Sequence, residues 1–255
     1  MASRKEQKAA ARAERLRKEA EQRAAERRAR LLKILGVVCG AVVAVVAVLI
    51  LIVAANKPEK ADPAAGENVA AKLAGVQQNG TVAGNPDAPV TIIEYGDLQC
   101  PICARFSEDE LPAVIDTLVK TGKAKFEFRN WTILGPDSET AAKAALAAAE
   151  QGKYLNFVEL FYRNQGAEGS GYVTDKFLEA RAREAGLDID RFNRDRNSAK
   201  YNQQLLDISD EAMKAGFSGT PAFIVEGPTG DPAVLPKLTN ADTLAQAVAK
   251  VSDGS

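Results

Sequence analysis

The sequence predicts an α/β domain whose sheet is interrupted by a block of helices, with one transmembrane helix ahead of it. Three observations lead there. Apolar, β-branched segments at 89–95 and 123–131 flank a helical pattern, the arrangement of a βαβ unit with parallel strands. Residues from about 132 to 216 then read as one helix after another, and strand character returns only at 221–226 and near Val234. Before all of this, Ile34 to Ala55 form a run of 22 residues without a charge or strong polar group. The folded body is expected over 81–255, as a βαβ half, a helical insertion, and a β-hairpin with a closing helix.

The N-terminal arm, 1–33, holds 12 Lys/Arg against 5 Asp/Glu, a net charge of +7. The whole chain sums to −1, so residues 34–255 carry −8. A basic arm on an acidic body could suggest nucleic acid, but the apolar run that follows it argues for a membrane instead, and no nucleic-acid partner is expected. At ~1.5 Å per residue the run crosses a ~30 Å hydrocarbon core. The cations immediately before it place residues 1–33 in the cytoplasm, as a basic tail, and the domain outside the cell membrane. The protein is thus expected to be single-pass, in contact with lipid through 34–55, and extracytoplasmic in its body. The run is longer than the apolar part of a usual cleaved signal, which favours an uncleaved anchor. Residues 56–80 mix Pro, Gly, Ala and charge without a period and read as a linker.

"PVTIIEY" over 89–95 reads as a buried strand. Cys100-Pro-Ile-Cys103 leads through a short turn into a helix with Phe106, Leu111, Val114, Ile115 and Leu118 at helical spacing, broken at Pro112 and stopped by Gly122. "KAKFEFRNW" over 123–131 alternates as a second strand. In the insertion, "DSETAAKAALAAAEQGK" and "YLNFVELFYRNQ" read as helices. Thr174 caps the next one, and Tyr201, Leu205, Ile208, Ala212 and Ala215 line one face of another. "PAFIVE", a "GPTG" turn and a short strand near Val234 make the hairpin, and a last helix starts at Asn240. Tyr95, Phe106 and Trp131 are read as core rather than as a client groove.

The chemistry lies in "EYGDLQCPICARF", Glu94 to Phe106. A structural zinc site needs four ligands, yet the body has no further cysteine and the chain no histidine, so no metal is expected. A structural disulfide closing so short a loop gains little. A redox pair fits better. Pro101 suits the first position of a helix, which puts Cys100 at the helix N-terminus, where free N–H groups and the dipole favour a thiolate. Cys103 sits one turn on, within reach of a mixed disulfide at Cys100. Glu94, on a buried strand, has two readings, a proton acceptor for Cys103 or a strand-end carboxylate turned to solvent. Thr220-Pro221 opens the returning strand, where a cis bond facing the cysteines would offer the Thr220 backbone to a substrate.

Three ordered blocks, "GNPDAPVTIIEYGDLQCPIC", "RNWTILGPDSETAAKAALAAAEQGK" and "GFSGTPAFIV", resemble the DsbA-like thioredoxin-fold family, especially its membrane-anchored bacterial members of the BdbD type. The resemblance spans roughly 80–250. It implies a thioredoxin fold with a helical insertion and protein thiol–disulfide oxidoreductase activity. It makes Cys100 the exposed nucleophile, Cys103 its partner thiol, Pro221 the cis-proline and Glu94 the buried acid, with Thr220, Pro101 and Ile102 the client-facing positions. The active group is the Cys100–Cys103 disulfide itself, with no separate cofactor. Expected partners are exported cysteine-containing proteins and a DsbB/VKOR-type membrane protein for reoxidation. Strongly oxidising members often carry histidine between the cysteines, where Ile102 here offers the thiolate neither hydrogen bond nor charge. The expected function is an oxidase that donates this disulfide. The alternatives are an envelope reductase or isomerase, and a metal- or client-binding module without turnover.

Overall fold

The computed structural model describes residues 61–253. The basic tail over 1–33 and the transmembrane helix over 34–55 expected from the sequence lie outside the described residues. Among the described residues no helix is long and apolar enough to cross a membrane.

The folded part begins earlier than the sequence suggested. Asp62 accepts a hydrogen bond from the Ala64 N–H at 3.0 Å and, with Pro63 in the first turn, opens helix α1 (Pro63–Lys72) inside the expected linker. Only Val69 and Leu73, four residues apart, give this helix an apolar face, too little to show as a period. Gly66 is buried in α1, and a Cβ there would collide with the backbone of Glu184, so glycine lets the helix dock closely. Two very short strands follow, β1 (Gln78–Asn79) and β2 (Val82–Ala83), paired antiparallel. Two residues carry no alternation to read, and the sequence missed both.

Strand β3 (Val90–Gly96) is the centre of a six-stranded sheet. It runs parallel to β4 (Ala124–Asn130), with Glu94 opposite Phe128, and antiparallel to β5 (Ala222–Glu226), with Glu94 opposite Phe223. Strand β6 (Ala233–Leu235) pairs with β5, and the order is β1-β2-β4-β3-β5-β6. Between β3 and β4 lie α2 (Pro101–Asp109) and α3 (Leu111–Val114), the latter running into a π-turn at Ile115–Val119. The break falls at Glu110, because Pro112 has no N–H to give and crowds the turn before it. The insertion supplies α4 (Pro136–Ala149), α5 (Tyr154–Arg163), α6 (Asp175–Glu184), α7 (Ile189–Arg196) and α8 (Asn202–Lys214). Helix α9 (Ala241–Asp253) closes the chain, with Asn240 accepting from the Thr243 N–H.

Alternation along β3 separates two cores. Val90 and Ile92 join Phe106, Phe126, Phe128, Phe157, Phe161 and Phe223 in the larger one, while Ile93 and Tyr95 pack with Trp131, Phe217 and the α8 residues Ile208 and Ala212. Phe106 of α2 stacks on Phe223 of β5 with ring centroids 4.7 Å apart. Each such fully buried ring stabilises the fold by roughly 1.5–3 kcal/mol relative to exposure. Glu94 follows Val90 and Ile92 in the alternation, so its side chain enters the larger core beneath α2. Tyr95, Phe106 and Trp131 are all buried in packing, as core residues.

Candidate functional site

Cys100 is the N-cap of α2 in extended conformation, and Pro101 takes the first helical position. The pair is present as two free thiols, both buried, but unequally placed: Cys100 is 6 % exposed and Cys103 is 0 %. Pro101 and Ile102 face outward, Ile102 at 40 %. The Thr220–Pro221 bond is cis and brings the Thr220 carbonyl to the active thiol, with Cys100 Sγ donating to it at 3.5 Å while it carries its proton. Thus the segment entering β5 carries Thr220 and Pro221, α2 and its N-cap carry both cysteines with Pro101 and Ile102, and β3 carries Glu94. All seven residues singled out in the sequence lie on these three elements or at their N-terminal ends.

The two thiols titrate apart. A hydrogen bond from Cys103, then one from the Thr220 side chain and others from the N–H groups of Cys103 and Ile102, lower Cys100 from the ordinary 9.0 to about 6, against the opposing effect of burial. Cys103 moves the other way: burial, its hydrogen bond to Cys100 and the nearby Glu94 charge push it well above the ordinary thiol value. The geometry thus makes Cys100 a thiolate at neutral pH and Cys103 a protonated thiol held beneath it.

Glu94 is 2 % exposed, and Oε1 has no hydrogen-bond partner among the described residues. Burial, then the charges of Glu159 and Cys100, raise its pKa well above the usual carboxylate range, so the protonated acid is the favoured form. The strand-end alternative, a Glu94 turned to solvent, is not what the structure shows. A Cβ at Gly96 would collide with the Phe128 ring and stand 3.2 Å from Glu94 Oε1, so glycine keeps room for that carboxyl group.

The helical insertion holds the loop that carries Cys100. Asp97 accepts from the Gln99 N–H at 2.9 Å, and its other oxygen accepts from the N–H groups of Ile133 and Leu134 at 2.9 and 3.0 Å. Tyr162 of α5 donates to the Asp97 carbonyl at 3.1 Å, and Gln165 donates to the carbonyls of Leu98 and Cys100. Nothing in the sequence pattern singled out Asp97, Tyr162 or Gln165. The pattern also passed over Glu159, buried in the middle of α5, whose every residue from Tyr154 to Tyr162 is buried. A carboxylate inside so apolar a run was the available signal.

Residues 77–238 match the family model described as thioredoxin. A probable disulfide bond formation protein D from Bacillus cereus is 29 % identical over 153 residues, covering 58 % of this chain and 71 % of that protein. The solved structure of a thioredoxin-like oxidoreductase from Silicibacter pomeroyi is 34 % identical with a TM-score of 0.55, over 66 % of this chain and 90 % of that one. Oxidised BdbD from Bacillus subtilis shares the fold at 24 % identity and a TM-score of 0.60, over 68 % and 95 % of the two chains.

Proposed function

The chain belongs to the thioredoxin family as a DsbA-like thiol–disulfide oxidoreductase, and on that footing we propose that it is an extracytoplasmic oxidase that donates the Cys100–Cys103 disulfide to exported cysteine-containing proteins. The observation that carries this direction is the split between the two thiols, with Cys100 lowered to about 6 while its buried neighbour is raised. Whatever stabilises the Cys100 thiolate stabilises the reduced pair, and so makes the disulfide the better oxidant.

In the first step a client thiolate attacks Cys100 Sγ. The Cys100–Cys103 bond breaks, a client–Cys100 disulfide forms, and Cys103 leaves as a thiolate. Buried as it is, that thiolate needs a proton, and Glu94 supplies it. A second client thiolate then attacks the client sulfur of the mixed disulfide, and Cys100 departs as the thiolate stabilised at its helix N-terminus. Two electrons have passed from the client to the cysteine pair. A DsbB/VKOR-type membrane partner returns the pair to the disulfide; Glu94, reprotonated from solvent in the reduced protein, then releases that proton and takes up the one from Cys103. The Thr220 backbone beside Cys100, with exposed Pro101 and Ile102, forms the client-facing rim. Residues 34–55 anchor the protein in the cell membrane, with the tail in the cytoplasm.

The test is a reduction potential measured against glutathione, with a Cys103→Ala variant expressed in cells to trap mixed disulfides. An oxidising potential and trapped exported clients are expected. A potential near that of a cytosolic reductant, about −270 mV, together with a predominantly reduced pair in cells, would assign the protein to reduction or isomerisation instead. Cleavage of the body by protease added outside intact protoplasts checks the topology.

A further inference from the structure

A second buried carboxylate stands in the same core as Glu94 and has no part in the exchange steps above. Glu159 of α5 is 1 % exposed. Its Oε2 is paired with the ammonium of Lys72, from the last turn of α1, at 2.9 Å. Its Oε1 accepts a hydrogen bond from Ser107. Ser107 lies on α2 four residues beyond Cys103, on the same buried face of that helix. Three elements remote in sequence therefore converge directly behind the exchange site.

We propose that the Lys72–Glu159 ion pair is a positioning element of this site: its carboxylate, fixed by Ser107 and Lys72, acts on Glu94 through the buried core and keeps on Glu94 the proton that Cys103 needs. The inference rests on Glu94 as the proton carrier. Two carboxylates in one apolar space cannot both carry charge cheaply. The cation of Lys72 lies at Glu159, and Glu94 Oε1 has no hydrogen-bond partner among the described residues, so the charge belongs on Glu159 and the proton on Glu94. The other titratable groups around Glu94 are Cys100 and Cys103 on α2 and Tyr154 and Tyr162 on α5, and burial raises both tyrosines well above their ordinary range. Lys72 is the only cation paired to this group among the described ion pairs. Docking of α1 is in this way coupled to the chemistry at Cys103.

The experiment follows the infrared carboxylic-acid band of the oxidised full-length protein against pH, with Glu94→Gln identifying which band belongs to Glu94. In Glu159→Gln the Glu94 band should disappear at a pH lower by about one unit or more, because a like charge has gone and the Lys72 cation is left facing the core. In the double variant Lys72→Met/Glu159→Gln the midpoint should lie between those of the single variant and the natural protein. A purely structural role for Glu159 would alter the melting temperature and leave these midpoints together. If Glu159→Gln fails to fold, the double variant, which leaves no unpaired buried charge, carries the test: a midpoint below that of the natural protein supports the proposal. An unchanged midpoint in a folded variant overturns it while leaving Glu94 as the proton carrier. A spectrum in which Glu94→Gln removes no band overturns the Glu94 reading and this one with it.

Discussion

A thiol that titrates at about 6 is mostly thiolate at neutral pH, and its reactivity should show it. Alkylation of the reduced protein is expected to follow a single midpoint near that value and to modify Cys100 alone, as read by peptide mass mapping, with Cys103 unreactive until the protein unfolds. Loss of the Thr220 side-chain hydrogen bond in Thr220→Val should move the midpoint upward. Glu94→Gln should leave this first titration nearly in place but slow the reduction of the disulfide by a small dithiol by roughly a hundredfold, the lower end of effects from a positioned acid. At this scale much of the site could be read in the sequence. The short spacing of Cys100 and Cys103, Pro101 between them and Pro221 before a strand each constrain the backbone in a known way. Glu159 could not be read, because its meaning lies in Lys72 and Ser107, residues 87 and 52 positions away in the chain.

Loops and helices are fixed here by contacts that cross the sequence. Asp97 gathers three backbone N–H groups, two of them from the segment after β4, and so ties the turn before Cys100 to the start of the insertion. Asp97→Ala should destabilise the fold by about 3 kcal/mol, since it leaves those donors with no acceptor, and urea unfolding would measure it. Gly66→Val should cost more than a surface substitution of the same kind, because the added atoms meet the backbone of α6 and α1 must lift. Increased protease cleavage near residue 73 would report that lift. Elements with seven or more residues and one clear period, such as β3, β4 and α5, were legible in advance. Helix α1 and strands β1 and β2 were not: the strands are two residues long and the helix is Ala-rich with one larger apolar residue, so none of them shows a period.

For the molecule as a whole, two of the perturbed groups, Cys100 and Glu94, pull stability in opposite directions with pH. Cys100 has a folded value of about 6, below its ordinary 9.0, so its contribution to the reduced protein is present above pH 9 and is lost as pH falls through 6. Glu94 is raised above 4.5, so its contribution is present below that value and is lost as pH rises through the raised one. Urea unfolding of the reduced protein across this range should show the rise flattened in Cys100→Ser and steepened in Glu94→Gln. The oxidised protein, which has no Cys100 thiolate, should lack the rise and be the less stable form at neutral pH.

The sheet that carries this chemistry ends, on one side, in the two residues Gln78–Asn79 and, on the other, in the three residues Ala233–Leu235. An unfolded polypeptide looking for a strand to extend finds almost no template at either margin. For an oxidase of the kind proposed, a client chain is thereby given no edge on which to aggregate, and the rim at Cys100 is left as the place to meet it.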